Sequence, residues 1–212
     1  MQLNQHIQDF VRVYDDILSE DLCNKIVKEY QESEYLPAET GNGLSPENRN
    51  VDEIPICLPD HCNNNERISL IQSLHKGMEE VIKQYEETFY PYFHIDMDTG
   101  FQLLKYKTGH FYKEHVDTFR PVMDQHLIDA ILNMRLKPQD LLKFHGSGQR
   151  AISCSILLND EFEGGQLGFW DNTFKPIQRK GSIVVFPSNF MYPHQVSEIT
   201  KGTRYAIVTW LI

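Results

Sequence analysis

Two histidines and one aspartate in this sequence have the residue types and the spacing of a metal site. His115 and Asp117 are separated by one residue, so their side chains point to the same side of an extended strand. His194 lies far downstream, in the segment MYPHQV. Two imidazoles and one carboxylate occupy one face of an octahedral ion and leave three positions open, which suits Fe(II) enzymes that bind a chelating cosubstrate and then O₂. A closed zinc site would use four protein ligands, often cysteines, and the four cysteines here form no CxxC pair.

Arg204 lies ten residues after His194 and begins the apolar segment RYAIVTWLI (204–212). Strand alternation places Arg204 on the same face as Val208 and Trp210, so its side chain is expected to point into the interior. Burying an unpaired guanidinium costs several kcal/mol, and the natural partner is a carboxylate held by two hydrogen bonds. At this point a salt bridge to an acidic residue of the protein itself remains an alternative.

An ordered series of residues runs through the second half of the chain: Tyr106, Gly109, Tyr112, His115, Asp117, Gly164, Gly165, Lys180, Gly181, Phe186, His194 and Arg204. This series resembles the 2-oxoglutarate and Fe(II)-dependent dioxygenases and, within them, the prolyl 4-hydroxylase branch. The resemblance covers about residues 99–212. The segment YDDILSEDLCNKIV (14–27) is also similar to the helix that starts prolyl-hydroxylase domains.

The resemblance implies that His115, Asp117 and His194 bind Fe(II), and that Arg204 binds the distal carboxylate of 2-oxoglutarate. O₂ would be the second cosubstrate and ascorbate a candidate reductant. Further positions around the cofactors are implied at Tyr106, Tyr112, Leu167, Val196 and Trp210. Arg150 matches a basic position near the substrate mouth. The segment AISCSILLN (151–159) follows Arg150. Several relatives have a tyrosine two residues before the final Asn of this segment, where this chain has Leu157. Arg204 is therefore expected to act alone or with another hydroxyl group.

Two helices and a series of short strands would position these residues. Ser19 is expected to cap a helix whose first turn holds Glu20 and Asp21. A second helix is predicted by apolar residues at helical spacing from Ile71 to Tyr85. From residue 99 onward, short runs rich in β-branched and aromatic residues alternate with turn residues. The pattern predicts an α+β fold, a sandwich or barrel of strands buttressed by the N-terminal helices, and the resemblance implies a double-stranded β-helix (jelly-roll) barrel.

We expect a single domain over residues 1–212, with helical support and a flexible loop in 1–98 and the jelly-roll core in 99–212. The core would carry a helical insertion over 118–149. The polar stretch 37–66 is predicted to be a loop, either a disordered surface excursion or a mobile lid. His94 and Asp96 form a second HxD pair, but that pair lacks flanking strand context. His110 and His145 are expected on the rim, and the aromatic cluster 89–93 is expected to pack in the core.

Composition limits the partners. Asp plus Glu number 30 against 20 for Lys plus Arg, giving a net charge of −10, which disfavours nucleic acid and anionic membranes. No export signal or membrane span is recognisable, so a cytoplasmic location is expected. The predicted function is hydroxylation of a substrate C–H bond, with a prolyl residue in a peptide or protein as the expected substrate. The alternatives are a free amino acid or small metabolite as substrate, a non-catalytic jelly-roll binding module, and a metalloenzyme without 2-oxoglutarate, which would not need Arg204.

Overall fold

Two β-sheets and two helices make up the part of the chain that the computed structural model describes, namely residues 6–40, 43–89, 95, 98–118 and 150–212. The helices are α1 (Glu20–Tyr30) and α2 (Asn65–Phe89), and a 3-10 turn covers Ile7–Phe10. The strands are β1 (Arg12–Tyr14), β2 (Leu36–Pro37), β3 (Arg49–Asn50), β4 (Asp52–Pro55), β5 (Gln102–Lys107), β6 (Phe111–His115), β7 (Ile152–Leu157), β8 (Phe162–Gly164), β9 (Leu167–Phe169), β10 (Ile183–Pro187), β11 (His194–Val196) and β12 (Ile199–Leu211).

The larger sheet has the strand order β1-β10-β7-β12-β5-β4-β2, with β8 paired to β12, and the smaller sheet has the order β3-β6-β11-β9. The strand pairs are antiparallel, so alternate residues of each strand point to opposite faces. A cluster of buried side chains joins the inner faces of the two sheets, with Leu104 and Phe186 from the larger sheet and Leu167 and Phe169 from the smaller one. This arrangement places the functional residues between the sheets.

The two helices pack against the other face of the larger sheet. Ile26 of α1 and Leu74 of α2 are fully buried, in one cluster with Ile156 and Ile207 of the sheet. Ser19 caps α1 as predicted, because its hydroxyl accepts a hydrogen bond from the Leu22 backbone N–H at 3.2 Å. Each strand of the central sheet therefore has one face toward the helices and one toward the smaller sheet.

Helix α2 begins earlier than its apolar pattern indicated. The sequence placed Asn63–Asn65 in the loop, whereas the helix starts at Asn65. The Asn64 side chain accepts a 2.8 Å hydrogen bond from the Arg67 backbone N–H, which is the geometry of a helix cap. The polar run is thus the start signal of the helix.

The prediction of a loop without regular structure over residues 37–66 was wrong in part. Strand β4 pairs with β5, and β3 pairs with β6, so this stretch extends both sheets. Strands β2, β3 and β4 have only two to four residues each, and β2 and β4 end in Pro37 and Pro55. Segments this short do not show a recognisable apolar periodicity. They form because a longer neighbouring strand supplies the hydrogen-bond partners.

Several sequence predictions fall outside the described residues. They concern the insertion 118–149 beyond Thr118, the pair His94 and Asp96, His145, and the aromatic residues Tyr90, Tyr92 and Phe93. Phe89 of the same cluster does pack in the core, with its ring stacked on Phe10 at a centroid distance of 5.0 Å. Within the described ranges, neither helix has the length and apolar character needed to cross a membrane.

Candidate active site and metal centre

The pairing of β6 with β11 brings the predicted metal ligands together. His194 lies directly opposite His115 in this pair, so the two side chains share one face of the smaller sheet. Asp117 follows β6 by two residues, and its carboxylate oxygens lie 3.5 Å from Nε2 of each imidazole. Ligand atoms of the three residues lie within 4.8 Å of one another. The sequence prediction that these residues converge is therefore confirmed.

Backbone carbonyls orient both imidazoles. Nδ1 of His115 lies 2.8 Å from the Lys113 carbonyl oxygen, and Nδ1 of His194 lies 3.1 Å from the Tyr192 carbonyl oxygen. A carbonyl only accepts hydrogen bonds, so in the neutral form of each imidazole the proton is on Nδ1 and the lone pair is on Nε2. The two lone pairs are the ones that face Asp117, as a metal site requires.

The charge states also suit a cation. Burial, the largest influence, raises the pKa of Asp117, but the imidazoles of His194 and His115 and a hydrogen bond from Ser153 together hold it well below its ordinary range. Burial lowers the pKa of His194 to about 4, although Asp117 opposes this effect. At neutral pH the site therefore offers an ionised carboxylate and a neutral His194 imidazole.

Two imidazole nitrogens and a carboxylate are a donor set that suits Fe(II) in oxygenases. Two donor atoms bound about 2.1 Å from one octahedral ion at right angles lie about 3.0 Å apart, close to the 3.5 Å separations here. No cysteine takes part, and all four cysteines are free thiols. The residues present therefore fit a three-ligand iron site better than a closed zinc site.

A buried guanidinium lies on the larger sheet. Arg204 of β12 is directly opposite Tyr106 of β5, so both side chains enter the same space. Arg204 is 2% exposed, and its Cζ lies 5.2 Å from the centre of the Tyr106 ring. Burial lowers the pKa of Arg204, while burial raises the pKa of the Tyr106 phenol against the effect of nearby guanidinium groups.

No carboxylate of the described residues lies within 4.0 Å of the Arg204 side chain, so the predicted alternative of an internal salt bridge is not found there. An arginine keeps its charge in proteins, and a buried charge needs a counter-ion. The position is therefore suited to the carboxylate of a bound molecule.

One cavity joins the metal triad and Arg204. It is lined by Arg49, Leu104, Tyr106, Tyr112, His115, Asp117, Ser153, Cys154, Ser155, Leu167, Phe186, His194, Val196, Arg204, Val208 and Trp210. All five further cofactor positions implied by the resemblance are among these residues. Tyr112 is also stacked on His115, with 3.5 Å between the ring centres.

Three other residues singled out in the sequence are not among those that line this cavity. Arg150 places its guanidinium 3.5 Å from the centre of the Trp210 ring and donates a 3.3 Å hydrogen bond to the Asp117 backbone oxygen. Leu157 is buried opposite Ala206 in the β7–β12 pair. His110 is half-buried and does not join the metal cluster.

Sequence reasoning missed the side chains that hold Asp117. Ser153 donates a 2.7 Å hydrogen bond to Oδ2 of Asp117, and the hydroxyl of Ser188 lies 2.7 Å from that of Ser153. A signal existed, because Ser153 and Ser155 occupy alternate positions of an otherwise apolar strand and so mark its polar-facing side. Arg49 had no such signal: it reaches the cavity from β3, and its Nη2 pairs with Glu53 at 2.8 Å.

Comparison with known proteins gives an independent result. A family model described as the 2OG-Fe(II) oxygenase superfamily matches residues 101–212. A 66-residue part of the chain is 33% identical to prolyl 3-hydroxylase 2 of Homo sapiens, covering 29% of this chain and 9% of that protein. A 72-residue part is 33% identical to a PKHD-type hydroxylase of Prochlorococcus marinus, covering 32% of each. The matched parts thus span less than a third of these two relatives.

Among solved structures, a prolyl hydroxylase from Trichoplax adhaerens, in complex with a hypoxia inducible factor peptide fragment, is similar with a TM-score of 0.68. The sequence identity is 17%, over 96% of this chain and 83% of that one. At this identity the similarity concerns the fold, and it identifies the two facing sheets as the jelly-roll arrangement predicted from the sequence.

Proposed function

This chain belongs to the 2OG-Fe(II) oxygenase superfamily, and from that premise we propose that it is a dioxygenase that hydroxylates a prolyl residue in a peptide or protein. One observation carries the proposal: the cavity that holds His115, Asp117 and His194 also holds a fully buried arginine for which the described residues supply no carboxylate. A metal triad and a separate carboxylate anchor are what a chelating dicarboxylate cosubstrate requires. We further propose that residues 1–212 act as a single domain, in which α1 and α2 support the sheet.

His115, Asp117 and His194 would hold the iron through Nε2 and carboxylate oxygen. When bound, iron and 2-oxoglutarate activate O₂, so that one oxygen atom enters a C–H bond while 2-oxoglutarate becomes succinate and CO₂. The chain's own contribution to this chemistry is orientation. The carbonyl oxygens of Lys113 and Tyr192 fix the two imidazole rings, and Ser153 fixes the carboxylate.

Arg204 would bind the distal carboxylate of 2-oxoglutarate by two charge-assisted hydrogen bonds. The Tyr106 phenol lies directly across from Arg204 and would supply a second donor, whereas Leu157 has no hydroxyl group. Apolar walls from Leu104, Leu167 and Val196 would exclude water, which strengthens the ionic contact and limits side reactions.

The substrate assignment is supported by the prolyl hydroxylases among the similar proteins, one of which binds a peptide. Arg150 lies beside Asp117 at the edge of the cavity, where a guanidinium could donate hydrogen bonds to a peptide carbonyl. A free amino acid or small metabolite is the alternative substrate class.

An anaerobic titration tests the cofactor part of the proposal. Adding Fe(II) and then 2-oxoglutarate should produce a weak visible charge-transfer band, and Asp117→Ala should abolish it. Arg204→Leu should require about 10- to 100-fold more 2-oxoglutarate, the effect of losing an ionic hydrogen bond. Arg179→Leu is the matched control, because Arg179 pairs with Asp15 at the surface. An unchanged requirement in the Arg204 variant would contradict the anchor.

Turnover measurements test the proposed hydroxylase activity and the substrate class. Succinate formation together with a 16 Da gain on proline-containing peptides is the expected result. A protein that shows the band but forms no succinate would be a non-catalytic binding module. A gain on free amino acids, with none on peptides, would replace the substrate class and leave the cofactor assignment in place.

A further inference from the structure

The turn between β10 and β11, residues 188–193, exposes two large apolar side chains next to the metal centre. Phe190 is 76% exposed and Met191 is 45% exposed. Single exposed apolar side chains are ordinary on a protein surface, whereas two adjacent ones beside a functional site indicate an interaction surface. Within the part of the chain that the structure describes, these two side chains in the 188–193 turn remain exposed, and a binding role would explain their position.

The turn is held in place by several hydrogen bonds. The Asn189 side chain accepts a 3.0 Å bond from the Met191 backbone N–H, and its carbonyl accepts one from Tyr192 at 3.0 Å. Trp170 donates its indole N–H to the Met191 carbonyl oxygen at 2.8 Å. Trp170 itself has a φ of 49°, in the left-handed region that residues other than glycine rarely adopt. Phe190 and Met191 are thus presented on a fixed backbone, which lowers the entropy lost when a partner binds.

The same turn is attached to the metal ligands on both sides. The Tyr192 carbonyl oxygen contacts Nδ1 of His194, and the Ser188 carbonyl oxygen accepts the backbone N–H of Thr118 at 2.9 Å, next to Asp117. Consecutive Cα atoms are 3.8 Å apart, so the Cα of Met191 lies no more than about 11 Å from that of His194. An extended peptide advances about 3.3 Å per residue. A substrate residue two or three positions from the one that reacts at the metal could therefore reach the turn.

We propose that Phe190 and Met191 bind an apolar side chain of the peptide substrate, two or three positions from the residue that is hydroxylated. This inference rests on the proposed peptide hydroxylation. A small metabolite seated at the metal would not extend over this turn. The turn carries no charged residue, and the net charge of −10 disfavours nucleic acid and anionic lipid as the partner.

Synthetic 12-residue peptides with one central proline test the proposal. In each peptide, one position within three residues of the proline, on either side, is replaced by Leu, Phe, Ser or Asp. Hydroxylation of each peptide is measured as the 16 Da gain in mass. We expect the wild-type protein to prefer Leu or Phe over Ser two or three positions away on one side. Phe190→Ser should remove this preference and raise KM for the preferred peptide about tenfold, while the KM for 2-oxoglutarate stays unchanged. Met191→Ser should act in the same direction.

Leu58→Ser is the matched control. Leu58 is 53% exposed, in a segment whose neighbours Cys57 and Cys62 pack on the helix side of the larger sheet. It should leave the peptide preference intact. Equal hydroxylation of all peptides, or a Phe190→Ser variant that keeps the preference, would overturn the docking surface while the proposed function stands. Hydroxylation of no peptide would overturn both. A dimer that Phe190→Ser dissociates would assign the turn to self-association instead.

Discussion

Replacement of Ser153 by alanine should weaken iron binding although Ser153 is not a ligand. The Ser153 hydroxyl donates a 2.7 Å hydrogen bond to Oδ2 of Asp117, and Ser188 lies within hydrogen-bond distance of the same hydroxyl. Both serines are almost fully buried, so water would not readily replace the lost donor. The bond restrains the carboxylate in the orientation that leaves Oδ1 free toward His115.

The size of the effect follows from the charge on the acceptor. Hydrogen bonds to charged groups contribute about 1.5–3 kcal/mol, and loss of a partner that orients a metal ligand typically reduces metal affinity about 10- to 100-fold. Ser153→Ala should therefore raise the Kd for Fe(II) by about this factor. The change removes one oxygen atom and no carbon, so the strand should keep its packing.

An anaerobic Fe(II) titration measures this change directly, without relying on turnover. Ser155→Ala is the matched control: Ser155 lies on the same strand and lines the same cavity, two residues from Ser153. Its replacement should leave the Kd for Fe(II) unchanged, and Ser153→Thr should restore most of the affinity because it keeps the hydroxyl. A Ser153→Ala protein that binds iron within about twofold of wild type would refute the positioning role.

Three other perturbations have defined outcomes. Gly165 has a φ of +62°, and a Cβ there would clash with Ile199 Cδ1 and lie 3.0 Å from Arg204 Cδ. Gly165→Ala should therefore destabilise the fold by roughly 1–3 kcal/mol and raise the KM for 2-oxoglutarate; an unchanged Tm and KM would argue against this contact. Fe(II) at 100 times its Kd should add about 2.7 kcal/mol to the free energy of unfolding, visible as a Tm increase that EDTA reverses, and a metal-independent Tm would count against the site. Burial raises the pKa of Cys23 to about 11 and that of Tyr30 to about 12. The folded state thus keeps protons that the unfolded chain releases above about pH 9, so urea denaturation should show stability falling from pH 8 to 10.5; a rise over this range would contradict the sign.

The HxD pair and the inward direction of Arg204 could be predicted because each depends on local sequence. One intervening residue puts His115 and Asp117 on one side of an extended segment, and alternation alone points Arg204 inward while Ile207 faces the helices. The resemblance supplied the pairing of distant segments, which spacing could not.

The parts that escaped prediction depend on three-dimensional neighbours. Strand β12 begins at Ile199, five residues before the predicted start, because β8 pairs with its first part across an irregularity and Gly202 adopts a φ of +80°. A glycine in that conformation is typical of a turn in sequence terms. The Ser153–Asp117 bond is also non-local, since it joins residues 36 positions apart.

The arrangement of the two sheets determines how the candidate site can bind a cosubstrate. The metal ligands lie on the smaller sheet and at its edge, whereas Arg204 lies on the larger sheet, so a molecule that contacts both must span the space between the sheets. That space is set by the side chains packed between them, including Leu104 and Phe186. The helix-facing side of β12 also fixes the position of Arg204, because Ile207 on the same strand packs against the helices. A loss of packing on either face of β12 would change the distance between Arg204 and the metal ligands, which the cosubstrate must span. Cosubstrate affinity should therefore depend on core residues that contact neither the metal nor the carboxylate.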